Sequence, residues 1–328
     1  MNKQAIPQPG NLPKNPKLSV CMIVRDEEKV LPRCLKSVQD VADQLIVIDT
    51  GSKDNTISIA KDFGAKVFNF KWNDDFAAAR NKSLKHATGD WILQIDADEE
   101  LPLGSIPHLK DRMLESKVLC YFILCDNGPM SLGPQFNWVS RLFRRHLQIR
   151  YHRSYHERVD RSVENLVAAE PEWQVLHAPD IIICHYGYEQ SELHRKCERG
   201  LRIMKSYLKK SPDDDFILMK LGSICCDMGH YDEAEAYLNK AVQLNPDSSE
   251  INFCLGLTLQ RQKKLEESIR CFRKCIAIDP LGADAYHILG EIYIQNGNYK
   301  EAIKYFDKAI ELGVPIHPQV LELLEPYR

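Results

Sequence analysis

A repeat of 34 residues in the last third of the chain constrains the fold more than any other feature. The same residue types recur at this spacing in four series, namely Leu221-Gly222, Leu255-Gly256 and Leu289-Gly290; Tyr231, Leu265 and Tyr299; Ala241, Cys275 and Ala309; and Pro212, Pro246 and Pro280. Small residues at fixed positions let paired helices approach closely, and each proline stops one helix before the next begins. The pattern predicts a solenoid of helix pairs with full repeats at about 215–248, 249–282 and 283–316.

This unit resembles the tetratricopeptide repeat, a helix-turn-helix motif with Leu-Gly, an aromatic residue and a terminal proline. Because Pro212 shares the phase of the later prolines, residues 191–210 are predicted to supply the second helix of an incomplete first repeat. Residues 317–327 are predicted to form a capping helix, which stacked repeats need at their ends. We therefore assign residues 191–328 to a repeat domain.

Composition limits the class of protein. A length of 328 residues favours two domains, and 44% hydrophobic and 27% charged residues are typical of a soluble globular protein. The 11 cysteines contain no C-x-x-C pair, which predicts neither a disulfide framework nor a zinc site and favours the reducing cytoplasm. Residues 1–17 lack the apolar core of a signal peptide and are predicted to form a flexible tail. No apolar run reaches the length of a membrane span.

Strands and helices alternate between residues 18 and 101. Strands are predicted at 18–24, 45–48, 66–70 and 91–95, with helices between them. This alternation indicates βαβ units and a parallel sheet. Later strands at 118–125, 138–143, 149–159 and 181–184 predict antiparallel additions to the sheet edge. The patterns G-x-G-x-x-G and G-x-x-x-x-G-K-[ST] are absent, which argues against a dinucleotide dehydrogenase and a P-loop enzyme.

Acidic residues follow three of these predicted strands. Asp26 follows the first strand, Asp49 ends the second, and Asp96 and Asp98 follow the fourth. Ligands of open α/β sheets bind outside the carboxyl ends of the strands, so we expect these side chains at one edge. Asp26 and Asp49 are placed to hydrogen-bond a nucleoside, whereas Asp96 and Asp98 suit a divalent cation that also holds phosphates. The alternative interpretations are an acidic surface turn for the Asp-x-Asp pair and a helix-capping turn for Asp49.

Two basic features are candidates for binding anions. Residues 141–161 contain seven arginines and three histidines but only two acids. This segment is either the solvated face of a hairpin or a site for a diphosphate or an anionic acceptor; the chain as a whole is not basic, which argues against nucleic acid. Arg80 lies on the helix before the fourth strand. It either pairs with Asp74 or Asp75 or holds phosphate through its planar fork.

Four runs of sequence together resemble family 2 glycosyltransferases with the GT-A fold, and in particular the subgroup that carries C-terminal tetratricopeptide repeats. They are LSVCMIVRDEE at 18–28, VIDTGSKDNT at 47–56, DFAAARN at 75–81 and ATGDWILQIDADE at 87–99. The resemblance extends from residue 18 to residue 314, and it assigns residues 18–190 to the glycosyltransferase domain. Two departures occur: Asp26 stands where asparagine is usual, and Arg153-Ser154 stands where glycine is common.

The resemblance implies an inverting transfer of a sugar from a nucleotide-diphosphate sugar, with a UDP-sugar expected, to a glycan, lipid-linked saccharide, peptide or protein. It implies that the donor is bound by Asp26, Asp49, Arg80 and Asp96, and that Asp98 binds Mn²⁺ or Mg²⁺. His185, at the end of the last predicted strand, is a second candidate metal ligand or a structural residue. The repeats are expected to recognise the acceptor or a protein partner.

Transfer at the anomeric carbon also needs a base that takes the acceptor proton. Glu157 is the first candidate and His156 the second, because a carboxylate in an apolar cleft can be tuned to accept protons at working pH. The alternative for Glu157 is an ion pair with an arginine next to it in the sequence. Two other functions compete with transfer. One is a tetratricopeptide scaffold with an inactive glycosyltransferase-like domain, and the other is a sugar nucleotidyltransferase, which would normally carry a glycine-rich phosphate loop after the first strand.

Overall fold

The computed structural model describes residues 8–128, 136–186 and 190–328, with the backbone alone for 190–196. The chain divides into two compact units, Met1–Arg195 and Lys196–Arg328, each of which is described by itself. Residues 1–7 of the predicted tail lie outside the described residues. Residues 8–17 form turns without a helix or strand, and the Gly10 N–H donates to the carbonyl oxygen of Ser116 at 3.1 Å.

The first unit is built on a sheet of eight strands in the order β3-β2-β1-β4-β7-β6-β8-β5. Its elements are β1 (Leu18–Val24), α1 (Leu31–Val38), β2 (Gln44–Asp49), α2 (Thr56–Asp62), β3 (Lys66–Asn69), α3 (Phe76–His86), β4 (Trp91–Gln94), β5 (Glu99–Glu100), α4 (Ser105–Arg112), β6 (Val118–Asp126), β7 (Phe136–Arg144), α5 (Asp160–Ala169) and β8 (Gln174–His185). Strands β3, β2, β1 and β4 are parallel, and β7 joins β4 in antiparallel orientation. The predicted parallel core is therefore confirmed, and β7 pairs in antiparallel orientation with both β4 and β6 as expected. The prediction is wrong for β8, which pairs with β6 in parallel and is antiparallel only to the two-residue strand β5.

Both faces of the parallel strands are buried, which explains their nearly continuous apolar sequences. Val20 and Met22 of β1 belong to a core shared with Leu35 of α1, whereas Cys21 belongs to the opposite core with Ala77 of α3. Because the helices cover the two faces, the loops after β1, β2 and β4 open together at the carboxyl edge of the sheet.

The strand predicted at 149–159 is wrong. The segment contains only a single bridge between His152 and Arg158. Arg153 and His156 adopt φ values of 71° and 54°, and this left-handed conformation interrupts a strand ladder. Helix α5, which was not predicted, follows directly and buries Val163 and Leu166 against the sheet.

The second unit consists of helix pairs that follow the 34-residue period. Helix α6 (Gln190–Leu208) runs through the boundary at Arg195, and it is followed by α7 (Asp215–Asp227), α8 (Tyr231–Leu244), α9 (Ser249–Arg261), α10 (Leu265–Ile278), α11 (Ala283–Gln295), α12 (Tyr299–Glu311), α13 (Pro318–Leu324) and a 3₁₀ turn (Glu325–Tyr327). The glycine of each Leu-Gly pair faces the second helix of its own repeat. A Cβ atom on Gly290, for example, would lie 2.8 Å from the Phe306 ring. Within the described ranges, no helix is long and apolar enough to cross a membrane.

Each helix pair turns at a residue in the left-handed conformation, and the middle pair uses a lysine there. The φ values are 80° at Gly229, 63° at Lys263 and 70° at Gly297. A side chain in this conformation costs about 1 kcal/mol that glycine avoids.

Lys263→Gly should therefore raise the free energy of unfolding of the second unit by about 1 kcal/mol, measured by urea unfolding with far-ultraviolet circular dichroism. The matched control, Gly297→Lys, should lower it by a similar amount; an unchanged or lower stability of Lys263→Gly would contradict the argument.

Candidate active site

The loops after β1 and β2 carry Asp26 and Asp49 and are joined to each other by hydrogen bonds. The carboxylate of Asp49, which is only 4% exposed, accepts hydrogen bonds from the N–H groups of Gly51 (3.0 Å) and Ser52 (3.1 Å). Asp26 Oδ1 accepts from the Lys53 N–H at 2.7 Å, and the Asp26 N–H donates to Ser52 Oγ at 3.0 Å. Asp49 thus makes the hydrogen bonds of a turn residue, which was the alternative interpretation of this side chain. Both carboxylates lie at the carboxyl edge of the sheet, and the Asp26 residue is exposed.

The two departures from the family pattern fall on unusual backbone positions. Asp26 has φ 55° and Arg153 has φ 71°, so both residues are left-handed. Asparagine and glycine, the usual residues at these positions, adopt that conformation more readily than most. The two residues therefore occupy positions of this chain where asparagine or glycine would be less strained.

Asp96 is held between two arginines. Arg80 Nη2 lies 2.9 Å from Asp96 Oδ1, and Arg141 Nη2 lies 3.1 Å from Asp96 Oδ2. Burial raises the pKa of this carboxyl, but the charges of Arg80 and Arg141 outweigh burial and lower the pKa to about 2. Asp96 therefore stays ionised at any physiological pH, with its orientation fixed from both sides.

Arg80 also bridges to Glu157. Its Nε donates to Glu157 Oε1 at 2.5 Å, and its side chain is only 9% exposed. The predicted alternative partners serve other roles: Asp74 accepts from Trp72 Nε1, and Asp75 caps α3 by accepting from the Ala78 N–H. The buried Nη1 of Arg80 has no hydrogen-bond partner among the described residues, and such a donor is the kind of group that a bound ligand would satisfy.

The loop that carries Glu157 is fastened to α3. The Asn81 side chain donates to the carbonyl of Tyr151 at 2.9 Å and accepts from its N–H at 2.8 Å. The Phe76 N–H donates to the carbonyl of Ser154 at 3.0 Å. Together with the Arg80 pair, these contacts fix the position of Glu157 relative to Asp96. His156 lies in the same loop but is exposed, with its ring 4.8 Å from that of Tyr155.

Asp98 and His185 meet at the end of β8. His185 Nε2 lies 3.2 Å from Asp98 Oδ2, and this hydrogen bond raises the pKa of the imidazole despite its partial burial. A carboxylate oxygen and an imidazole nitrogen are suitable ligands for Mn²⁺. In the parts of the chain that the structure covers, no third histidine, cysteine or carboxylate completes a metal-binding group with them. A cation held here would have these two side chains as its ligands from the described part of the chain.

Four of the seven arginines in residues 141–161 make contacts within the protein. Arg144 is buried and donates to the carbonyls of Val118 and Glu115. Arg145 donates to the carbonyl of Gly89, and Arg158 pairs with Asp160. Of these four arginines, Arg141 alone reaches the acidic cluster, where it contacts Asp96 and Glu99.

Glu99 is the residue of this cluster that was not predicted. It is 2% exposed, its Oε2 accepts from the Asp96 N–H at 2.7 Å, and the same oxygen accepts from Arg141 Nη1. A signal was present in the sequence, because an acid three residues after Asp96 can bond back to its N–H as in a capping box. Nothing in the sequence indicates that Arg141, 45 positions away, completes the arrangement.

The fold and this geometry define a class. A parallel sheet with acidic residues at the carboxyl ends of neighbouring strands is the architecture expected of a nucleotide-sugar transferase with the GT-A fold. Residues 19–164 match the family model described as Glycosyl transferase family 2, and residues 222–263 and 247–312 match models of the tetratricopeptide repeat. The chain belongs to the family 2 glycosyltransferases that carry C-terminal tetratricopeptide repeats, as the sequence predicted.

The chain is similar to curated proteins with either of these descriptions. The chain is 39% identical over 279 residues to a TPR repeat-containing protein of Synechococcus elongatus, covering 83% of this chain and 68% of that protein. It is 28% identical over 235 residues to the SPbeta prophage-derived glycosyltransferase SunS of Bacillus subtilis, covering 69% of this chain and 53% of SunS. The chain therefore spans about half the length of SunS. Among solved structures, MamA aligns with 39% of this chain and 76% of its own at 28% identity, with a TM-score of only 0.35.

Proposed function

We propose that this chain transfers a sugar, with inversion, from a nucleotide-diphosphate sugar to an acceptor. The observation that carries the proposal is the placement of Asp26, Asp49 and the Asp96–Asp98 turn at the ends of the neighbouring strands β1, β2 and β4, beside Arg80 and Glu157. Carboxylates at such an edge accept hydrogen bonds from nucleoside hydroxyl and base donors. Glycosyl transfer is the reaction of the family.

The donor is proposed to lie along this edge. Asp26 and Asp49 would bind the nucleoside, with uridine expected, and Asp96 the ribose. Arg80 would direct its unpartnered Nη1 at the anionic part of the donor, because a planar guanidinium suits phosphate oxygens.

Asp98 and His185 would hold Mn²⁺ or Mg²⁺. When bound, such a cation would neutralise the negative charge that develops on the diphosphate as it leaves. The two side chains are 3.2 Å apart, so small rotations would let both face one ion.

Glu157 is proposed to act as the base, with His156 as the alternative. The acceptor loses its proton to the carboxylate while its nucleophilic atom bonds the anomeric carbon. The bond between that carbon and the diphosphate breaks, and a nucleoside diphosphate leaves. The fastening of the Glu157 loop to α3 would fix the distance between the base and the donor.

We also propose a division of labour along the chain. Residues 18–190 would perform the chemistry, and residues 191–328 would recognise an acceptor glycan, peptide or protein, or a protein partner, because stacked repeats provide extended binding surfaces. The cytoplasm is the proposed compartment, since the cysteine pattern of the sequence fits a reducing environment.

Removal of metal is expected to abolish turnover. Purified protein supplied with UDP-sugars should release UDP in the presence of Mn²⁺ or Mg²⁺ and should stop when EDTA is added. Asp98→Asn keeps the size of the side chain but removes its charge, so binding of UDP with Mn²⁺ should weaken by roughly 100-fold in calorimetry. Asp62→Asn, an exposed carboxylate at the end of α2, is the matched control and should behave as the unmodified protein.

The same assay separates the competing functions. Release of pyrophosphate in place of UDP would identify a sugar nucleotidyltransferase. Absence of both nucleotide binding and turnover in the folded protein would favour the scaffold with an inactive domain. Turnover that persists in EDTA would contradict only the proposed role of the metal, and not the proposed transfer of a sugar.

A further inference from the structure

The turn that presents Asp96 and Asp98 is closed by Glu99. The Glu99 N–H donates to the carbonyl of Asp96 at 3.0 Å, and the Asp96 N–H donates back to Glu99 Oε2 at 2.7 Å. These reciprocal bonds fix the backbone on both sides of Asp98. Glu99 also pairs with His185 in the β5–β8 ladder, which places the imidazole next to Asp98.

Arg141 extends the same arrangement to the Asp96 side chain. Its Nη1 donates to Glu99 Oε2, and its Nη2 donates to Asp96 Oδ2 at 3.1 Å. A single carboxylate oxygen thus accepts from the Asp96 backbone and from the arginine that orients the Asp96 carboxylate. The result is a closed circle of hydrogen bonds that runs through the N–H and the side chain of one residue.

We propose that Glu99 and Arg141 are positioning residues, which hold Asp96 in the orientation that donor binding requires. Both nitrogen tips of the Arg141 fork are occupied within the protein, which assigns the fork to Asp96 and Glu99. The inference rests on the proposed donor role of Asp96. It goes beyond that role because it states that donor binding depends on the hydrogen bonds that Glu99 accepts, and not on the charge of Glu99.

The substitution Glu99→Gln separates geometry from charge. Since Oε2 alone accepts both hydrogen bonds, the amide oxygen of glutamine can replace it, and the NH₂ group then takes the place of Oε1, whose contact is Cys125 Sγ at 3.9 Å. Glu99→Ala removes both acceptors. Arg141→Lys keeps the positive charge but has no fork, so it cannot bridge Glu99 and Asp96 together.

The test compares these variants by calorimetry with UDP and Mn²⁺, and by steady-state kinetics with the donor varied. Glu99→Ala and Arg141→Lys should each raise the dissociation constant for UDP and the KM for the donor by roughly 10–100-fold, the usual effect of removing a group that orients a ligand-binding side chain. Their kcat at saturating donor should fall far less. Glu99→Gln should stay near the unmodified protein. The control Glu100→Gln should do the same, because the Glu100 carboxylate pairs with Arg33 and not with Asp96 or Arg141.

Two results would overturn the inference. One is Glu99→Gln behaving as badly as Glu99→Ala, which would assign the role to charge; the other is Glu99→Ala or Arg141→Lys binding UDP normally. If Glu99→Ala does not fold by circular dichroism, Arg141→Lys decides, because its side chain is partly exposed and its charge is retained. Failure of the unmodified protein to bind UDP would count against the proposed function and not against the positioning roles.

Discussion

Replacing Glu157 with glutamine should lower the rate of sugar transfer by about 10²–10⁴-fold, the usual contribution of a general base. The amide keeps an oxygen that can accept from Arg80 Nε, now 2.5 Å from Glu157 Oε1, so the loop should stay in place. It cannot take a proton from the acceptor. Because Asp98 and His185 are unchanged, calorimetry should still detect metal-dependent binding of UDP. The expected signature is loss of transfer with retention of donor binding.

His156→Asn is the matched control for this experiment. Asparagine tolerates the left-handed backbone that His156 adopts, so the substitution tests the imidazole without straining the loop. If His156→Asn abolishes transfer and Glu157→Gln does not, the base is His156. Glu157 would then be the structural partner of Arg80, and not of the adjacent arginines considered from the sequence.

Replacing Arg80 with methionine should destabilise the first unit by about 3–5 kcal/mol, the usual effect of removing one member of a buried ion pair. Arg80 is the cation that lies between the Asp96 and Glu157 carboxylates. Without it, two largely buried negative charges lose a shared partner, and Arg141 can compensate only Asp96. UDP binding should fall as well, because Asp96 would be held from one side alone.

Tryptophan fluorescence during urea unfolding measures this effect specifically, since Trp72, Trp91, Trp138 and Trp173 all belong to the first unit. Arg158→Met is the control. Arg158 pairs with Asp160 at 2.6 Å, but its side chain is 41% exposed, so its loss should cost less than about 1 kcal/mol. Equal effects of the two substitutions would mean that Arg80 adds no more stability than a surface arginine.

The sequence was most informative where local periodicity decides structure. The 34-residue period predicted the helix pairs, and strands with apolar sequences predicted the parallel core. The segment 149–159 misled because Ile149, Tyr151 and Val159 resemble a strand, whereas Asn81 and Arg80 hold the segment as a loop. Helix α5 could have been found from Val159, Val163 and Leu166, which are spaced for one helix face.

Only the acidic residues at the strand ends of the candidate site could be predicted from the sequence. Asp49, Asp96 and Asp98 could be found because strand ends are visible in the sequence. The contacts of Arg80 with Glu157 and of Arg141 with Asp96 were not, since they join residues 77 and 45 positions apart. Long-range ion pairs leave no local pattern, and this is why the partner of Glu157 was sought among its neighbours.

The strand order has a mechanical consequence for the acidic turn. Strands β4 and β5 are four places apart in the sheet, which would be about 19 Å if the sheet were flat. The chain from Gln94 to Glu99 spans at most about 18 Å when fully extended, and the turn makes it shorter still. The sheet must therefore curl enough to bring β5 within reach of the end of β4, and the segment that joins these two strands carries Asp96 and Asp98. This short connection ties the acidic turn to β8: detaching β5 would break the pairing of Glu99 with His185, which holds the imidazole beside Asp98.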